Sequence, residues 1–228
     1  MNLTWQQSIG IEQSHLTGFE IKKTQSFLVH QSIKQDLLNL FSTVKKDGLE
    51  IAIISSFRSF EQQLSIWNDK WQGHRPVYSR HGRLLNIDKM SDVEKYKAIS
   101  LWSALPGLSR HHWGTDLDVF LAEPIQSGYK VKLMPQEFSK NGVCSELNSW
   151  MDKNLNGYGF FRPYRSFQQG ISEEPWHISH RATSQEILDS FSFKECLNHI
   201  NRSKIKSRDF ICNNFEHYQQ QYFLNLCD

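Results

Sequence analysis

Between Ser32 and Lys46 the apolar residues Ile33, Leu37, Leu38, Leu40, Phe41 and Val44 recur at helical spacing, and Gly48 follows the basic end as a C-cap. The pattern predicts an amphipathic helix. The period then changes. LEIAIISS, from Leu49, is a short β-branched run that reads as a buried strand, and it leads into FRSFEQQLSIWNDKW, whose periodicity is helical again. Phe57 and Arg58 therefore fall at a strand-to-helix junction, where functional side chains are commonly displayed from a rigid frame. Gln72 to Ile87, with Gly73, Pro76 and Gly82, predicts a long irregular loop. Ser91 opens the next helix with Asp92 and Glu94 in its first turn, and LPGLS breaks it. TDLDVF, ending at Phe120, alternates as a half-buried strand does. A further helix is expected from Ser145 to Leu155, then a short strand at EPWHISH, then one helix through SQEILDSFSFKECLNH. The remaining chain reads as helical, packing through Phe210, Ile211, Phe215, Tyr222, Phe223 and Leu226. Strands interspersed irregularly with helices, without βαβ repetition, predict an α+β fold.

Composition narrows the function classes. A chain of 228 residues with 39% hydrophobic and 22% charged residues can bury a core as one large domain, which excludes disordered and fibrous classes. A formal net charge of +2 gives no general attraction for a polyanion, so no nucleic-acid partner is expected, and the basic run Arg202 to Arg208 reads as a solvated surface. Cys144, Cys196, Cys212 and Cys227 form no C-x-x-C pair and leave the redox compartment and disulfide state open. No apolar run is long enough for a transmembrane segment, and the N-terminus lacks the basic and apolar regions of an export signal.

The candidate chemistry sits in SRHHWGTDLDVF, Ser109 to Phe120, and in EPWH, Glu174 to His177. Catalytic zinc usually takes three ligands from His, Asp and Glu and leaves one position open for water. His111 and Asp118 offer two such ligands and His177 a third. Pro175 biases Glu174 towards an extended backbone at the mouth of the strand, where a carboxylate can act as general base without ligating the metal. Glu173 is its chemically identical neighbour and competitor. Asp116 lies two residues from Asp118 and so faces the same side of the strand. It is expected either to hold a ligand histidine from behind, to meet a substrate ammonium group, or to pair with a nearby base. A fourth ligand there would close the open position. His112 should point away from His111 as a structural group, and His180 is left outside the site.

These motifs together resemble the D-alanyl-D-alanine carboxypeptidase family of zinc peptidases, the VanY-type enzymes of the LAS metallopeptidase superfamily. The family pattern S-x-H-x-x-G-x-A-x-D is matched by Ser109, His111, Gly114 and Asp118, and E-P-W-H by Glu174, Trp176 and His177. The junction pattern S-G-Y-R-S-x-x-x-Q is matched by Ser55, Arg58, Ser59 and Gln63, with Phe57 in place of tyrosine and Asp116 in place of the usual alanine. The resemblance implies one Zn2+ ion held by His111, Asp118 and His177, Glu174 as the base for a zinc-activated water, and Arg58 stabilising the oxyanion. It implies substrate contacts at Ser109, Gln63 and Trp176, and Asp116 joins them as a candidate. It further implies a single α+β zinc peptidase domain over residues 1–228, with a small, largely antiparallel sheet flanked by helices as in hedgehog-type and D,D-peptidase domains. The motif-bearing core would cover about residues 49–180, with an N-terminal helix and a C-terminal helical extension packed on it. The implied substrate is a peptidoglycan stem peptide trimmed of its terminal D-alanine. An endopeptidase or a D,D-dipeptidase is the alternative, and a non-catalytic zinc-stabilised binding module a remote one. Such a substrate points to the periplasm or cell envelope, or to cytoplasmic processing of muropeptides.

Overall fold

The computed structural model describes residues 3–22 and 25–227. A short helix α1 (Trp5–Ser8) precedes a hairpin of β1 (Leu16–Lys22) and β2 (Gln25–His30). Then come α2 (Lys34–Lys46), β3 (Ile51–Ser55), α3 (Phe60–Trp71), α4 (Asp92–Ser100), β4 (Asp116–Leu121), α5 (Ala122–Gln126) and α6 (Ser145–Asn154). The chain ends with β5 (Phe160–Phe161), β6 (His177–His180), α7 (Arg181–Asp189), α8 (Phe193–Arg202), α9 (Arg208–Asn213) and α10 (Phe215–Tyr218). The second sheet has the order β3-β4-β6-β5, antiparallel throughout. This is the α+β architecture that the patterning predicts. Among the described residues, no helix is long and apolar enough to cross a membrane.

The sheet separates two apolar clusters. Leu37, Leu40 and Val44 of α2 and Leu147 and Met151 of α6 pack on one side with Leu117, Val119, Ile53 and Ile178 from the strands. A second cluster, built from Trp67 of α3, Ile99 of α4, Trp113 and the C-terminal residues Ile211, Phe215 and Tyr218, lies apart from those strand residues. Because side chains alternate along β4, Leu117 and Val119 enter the first cluster while Asp116 and Asp118 face the opposite way. The polar face of the sheet thus looks towards the second cluster, and the functional residues gather between them.

Two elements depart from the expected pattern. The β1–β2 hairpin was not legible as strands, because among its described side chains only Phe19, Val29 and His30 are buried and the alternation is weak. The expected single helix over SQEILDSFSFKECLNH is broken into α7 and α8. Ser192 caps the second, its Oγ accepting the Glu195 N–H at 3.3 Å, which ends one helix and starts another.

The hairpin also buries a histidine pair. The rings of His15 and His30 lie 5.6 Å apart and both residues are buried; neither ring nitrogen of His15 has a partner. Burial pushes both rings down to about 4 from the ordinary 6.5. The folded state therefore prefers them neutral, so their stabilisation is complete above about pH 6.5 and is lost as the pH falls towards 4. The two rings act as a coupled pair, so both contribute to one loss of stability over that window. Thermal melting should show a steep loss of stability between these pH values, and His15→Phe should flatten it. Parallel curves for the variant and wild type would remove His15 from the cause.

Candidate active site

Local folding rules place each site residue. The β3 strand ends at Ser55, opposite Asp118 of β4, and the chain crosses to α3 through Phe57, Arg58 and Ser59. Ser59 starts α3 with a capping box: its Oγ accepts the Gln62 N–H at 3.2 Å, and Gln62 Oε1 accepts the Ser59 N–H at 2.9 Å. Arg58 is thereby held at the junction. Across from it, Arg110–Trp113 forms a 3-10 turn that Gly114 ends at φ +70°. A Cβ at Gly114 would come within 2.6 Å of Leu16 Cδ2 and 2.8 Å of the His30 nitrogen, so glycine is required both by conformation and by space. This tight ending delivers His111 before the strand and Asp118 within it.

The second motif is set by a turn. The Glu174 carbonyl accepts the His177 N–H at 3.0 Å across Pro175 and Trp176, and proline at the second position pre-sets the backbone. Glu174 and His177 therefore end side by side, and His177 pairs with Asp118 across β4 and β6.

His111, Asp118 and His177 are all buried and each presents one ligand atom, these atoms lying within 4.8 Å of one another. His111 Nδ1 donates to the Ser56 carbonyl at 2.9 Å, which leaves Nε2 free to face Asp118 Oδ2 at 3.4 Å. His177 Nε2 donates to Asp116 Oδ1 at 2.8 Å, which leaves Nδ1 facing Asp118 Oδ1 at 3.3 Å and Glu174 Oε2 at 3.5 Å. Asp118 Oδ1 and His177 Nδ1 are buried and have no hydrogen-bond partner. Buried polar atoms are rarely left so, and two imidazole lone pairs with one carboxylate form the donor set of a mononuclear zinc site with an open position. The residues fit a zinc ion.

Around this trio a cavity of about 350 Å³ is lined by Arg58, Glu174, Ser109, Trp176 and Tyr164 among others. Glu174 keeps only 13% of its side chain exposed, and burial raises its carboxyl above the ordinary range. Glu173 instead turns to Arg80, and this ion pair holds its carboxyl below that range. Of the two glutamates, Glu174 thus faces the trio and Glu173 faces away from it. The Trp176 ring stacks on Trp102 at 6.3 Å, and Tyr164 meets the His177 ring edge-on at 4.9 Å.

Two of the candidate substrate contacts, Gln63 and Asp116, lie behind the cavity, and Asp116 takes the alternative in which it holds a ligand histidine. Gln63 is fully buried: its Oε1 accepts Arg58 Nη1 at 2.7 Å and its Nε2 donates to the Ala104 carbonyl at 2.6 Å. With both ends of its amide engaged it holds Arg58, together with Ser55 Oγ at 3.0 Å from Nη2, and does not reach a ligand itself. Asp116 is likewise fully buried, accepting from Arg110 Nε at 2.8 Å, Thr115 Oγ1 at 2.7 Å and Ser179 Oγ at 3.0 Å besides His177. Burial alone would raise its carboxyl, but Arg110 and His177 hold it below the ordinary range. It stands behind His177, out of reach of a substrate. His112 is a buried structural group: Nε2 accepts the Gly107 N–H at 3.0 Å, so the proton sits on Nδ1, which donates to the Arg58 carbonyl at 2.6 Å. His180 bonds Thr183 and Asp36 away from the trio.

Residues 26–183 match the family model described as VanY: D-alanyl-D-alanine carboxypeptidase. An uncharacterized protein of Haemophilus influenzae is 35% identical over 86 residues, which span 37% of this chain and 66% of that protein. Among solved structures, a mutant of the vancomycin-resistance D,D-pentapeptidase VanY in complex with Zn(II) has a TM-score of 0.51 at 22% identity, covering 80% of this chain and 90% of that one. VanYB in complex with D-alanine-D-alanine gives 0.52 at 21% identity, covering 82% and 90%. At these identities the likeness to solved structures is one of fold.

Proposed function

This chain belongs to the VanY family of D-alanyl-D-alanine carboxypeptidases, hydrolytic enzymes, and from that premise we propose that it is a zinc-dependent peptidase that removes a terminal D-alanine from peptidoglycan stem peptides. The observation that carries the reading is that Glu174 and Arg58 open onto the same cavity as the His111, Asp118 and His177 trio. A site that served only to stabilise the fold would need neither.

When bound by that trio, zinc supplies a Lewis acid that lowers the pKa of water and polarises a carbonyl. The chain's own groups do the rest. Glu174, its carboxyl raised by burial, takes a proton from the attacking water at Oε2 and returns it to the nitrogen of the departing amino acid. Arg58 meets the negative charge that develops on the carbonyl oxygen, and Gln63 and Ser55 fix its guanidinium so that little reorganisation is needed at that moment. The stacked Trp102 and Trp176 give the cavity an apolar wall against which a peptide can lie.

Digestion of defined muropeptides, with the products weighed, tests the reading. Free alanine and the muropeptide shortened by one residue are expected as the products, their formation abolished by a chelator and restored by zinc. A released dipeptide or an internal cut would place the enzyme with the dipeptidases or endopeptidases, and turnover indifferent to chelation would remove the metal from the mechanism.

A further inference from the structure

Among the cations that line the cavity besides Arg58, Lys70 is partly buried, has no ion pair among the described residues, and is not used by the proposed chemistry. Lys70 lies in the last turn of α3, and it lines the cavity with Ile66 one helical turn before it. Its Nζ donates to Ser103 Oγ at 2.6 Å, and no carboxylate lies within 4 Å of it among the described residues. Its neighbours differ. Of the other lysines and arginines lining the cavity, Arg75 is paired with Asp69 and Arg110 with Asp116, and Lys132 lies exposed to solvent. Arg58 shares the lack of a direct ion pair, and its role is to meet the charge that forms on the substrate.

Lys70 is also positioned relative to Arg58. Ser103 holds its ammonium, and the next residue, Ala104, holds the Gln63 amide whose other end fixes Arg58. One short loop segment therefore sets the separation of the two cations. Burial pulls the Lys70 ammonium down to about 8, and Glu174 is the charge that opposes this most. It thus remains largely charged at neutral pH. A partly buried cation without a counter-ion is costly unless a ligand brings the opposite charge. In a carboxypeptidase substrate that charge lies close by, because the terminal carboxylate belongs to the residue directly after the scissile carbonyl, within one residue's reach of about 3.3–3.6 Å along the chain.

We propose that Lys70 is the anchor for the free α-carboxylate at the end of the substrate, so that the enzyme cuts one residue from a chain terminus and not within a chain. The assignment rests on the peptidase reading above and adds to it a residue that determines specificity. An ammonium on Ser103 offers its remaining donors to a carboxylate, whereas a peptide continuing past that point would present a neutral amide and leave the cation unpaired.

The test compares kcat/KM for diacetyl-L-lysyl-D-alanyl-D-alanine and for its C-terminal carboxamide, with the zinc-loaded full chain. Wild type should prefer the acid by about 10- to 100-fold, the range of a charge-assisted hydrogen bond. In Lys70→Met this preference should fall to within about threefold of unity, chiefly through KM for the acid, and Lys70→Arg should retain part of it. Should Lys70→Met fail to fold, Ser103→Ala carries the same test, since it frees the ammonium without removing it and should lower the preference by a smaller factor. If wild type prefers the acid and Lys70→Met keeps the same ratio, the anchor is another group while the carboxypeptidase reading stands. If wild type cleaves acid and amide equally well, the anchor is overturned, because the enzyme does not read the free carboxylate. Hydrolysis of neither peptide by zinc-loaded wild type overturns both readings.

Discussion

Glu174→Gln should bind zinc with wild-type stoichiometry and lose about 100- to 10,000-fold in kcat, the usual contribution of a positioned general base. The substitution keeps the volume of the side chain and removes only its capacity to take a proton. Pro175 and the turn it shapes bring Glu174 Oε2 to 3.5 Å from His177 Nδ1, inside the cavity and beside the ligand trio without being one of its members. Burial raises its carboxyl, which moves its basicity towards the operating pH of a hydrolase. The control is Glu173→Gln, which severs an ion pair with Arg80 at the edge of the site and should leave kcat within a few-fold of wild type. Metal analysis of the purified variants with turnover on a D-Ala-D-Ala-terminated peptide checks both. Wild-type turnover in Glu174→Gln would remove it from the mechanism, and an inactive Glu173→Gln would reopen the choice between them.

The metal trio was legible because its members come from two short stretches, each with fixed internal spacing. In S-x-H-x-x-G-x-x-x-D the glycine ends the 3-10 turn and strand alternation aims the aspartate, so the spacing encodes the geometry directly. In E-P-W-H a single turn does the same. Side chains whose meaning depends on a distant partner were not legible. The resemblance makes Gln63 a substrate contact, yet its amide turns inwards to Arg58 and to Ala104, a residue 41 positions away. Lys70 carries no local signal, and it is held at the cavity by Ser103, 33 positions on. The break between α7 and α8 did carry a local signal. Ser192 followed by Glu195 is a helix-start pattern inside what otherwise reads as one periodic run.

Asp116→Ala should cost roughly 3–5 kcal/mol of stability and, separately, weaken zinc binding about 10- to 100-fold. The two effects have different causes in one carboxylate. Arg110 keeps only 2% of its side chain exposed, and Asp116 is the only acid in ion-pair contact with it among the described residues, so truncation leaves a buried cation without a counter-charge. Ser179 Oγ, at 2.6 Å from Arg110 Nη2, remains as a neutral contact and does not replace it. The loss of affinity comes through His177: with Asp116 Oδ1 no longer accepting at Nε2, nothing holds the proton there or keeps Nδ1 turned towards Asp118. The double variant Asp116→Ala, Arg110→Met separates the two. It removes the orphaned charge and should recover part of the stability, while zinc affinity stays as low as in the single variant because the His177 contact is still absent. Chemical denaturation reads the first quantity and competition against a chelator of known affinity reads the second. If the double variant regained both together, the loss of affinity would follow from general destabilisation; if Asp116→Ala held zinc as tightly as wild type, the carboxylate would have no part in orienting the ligand.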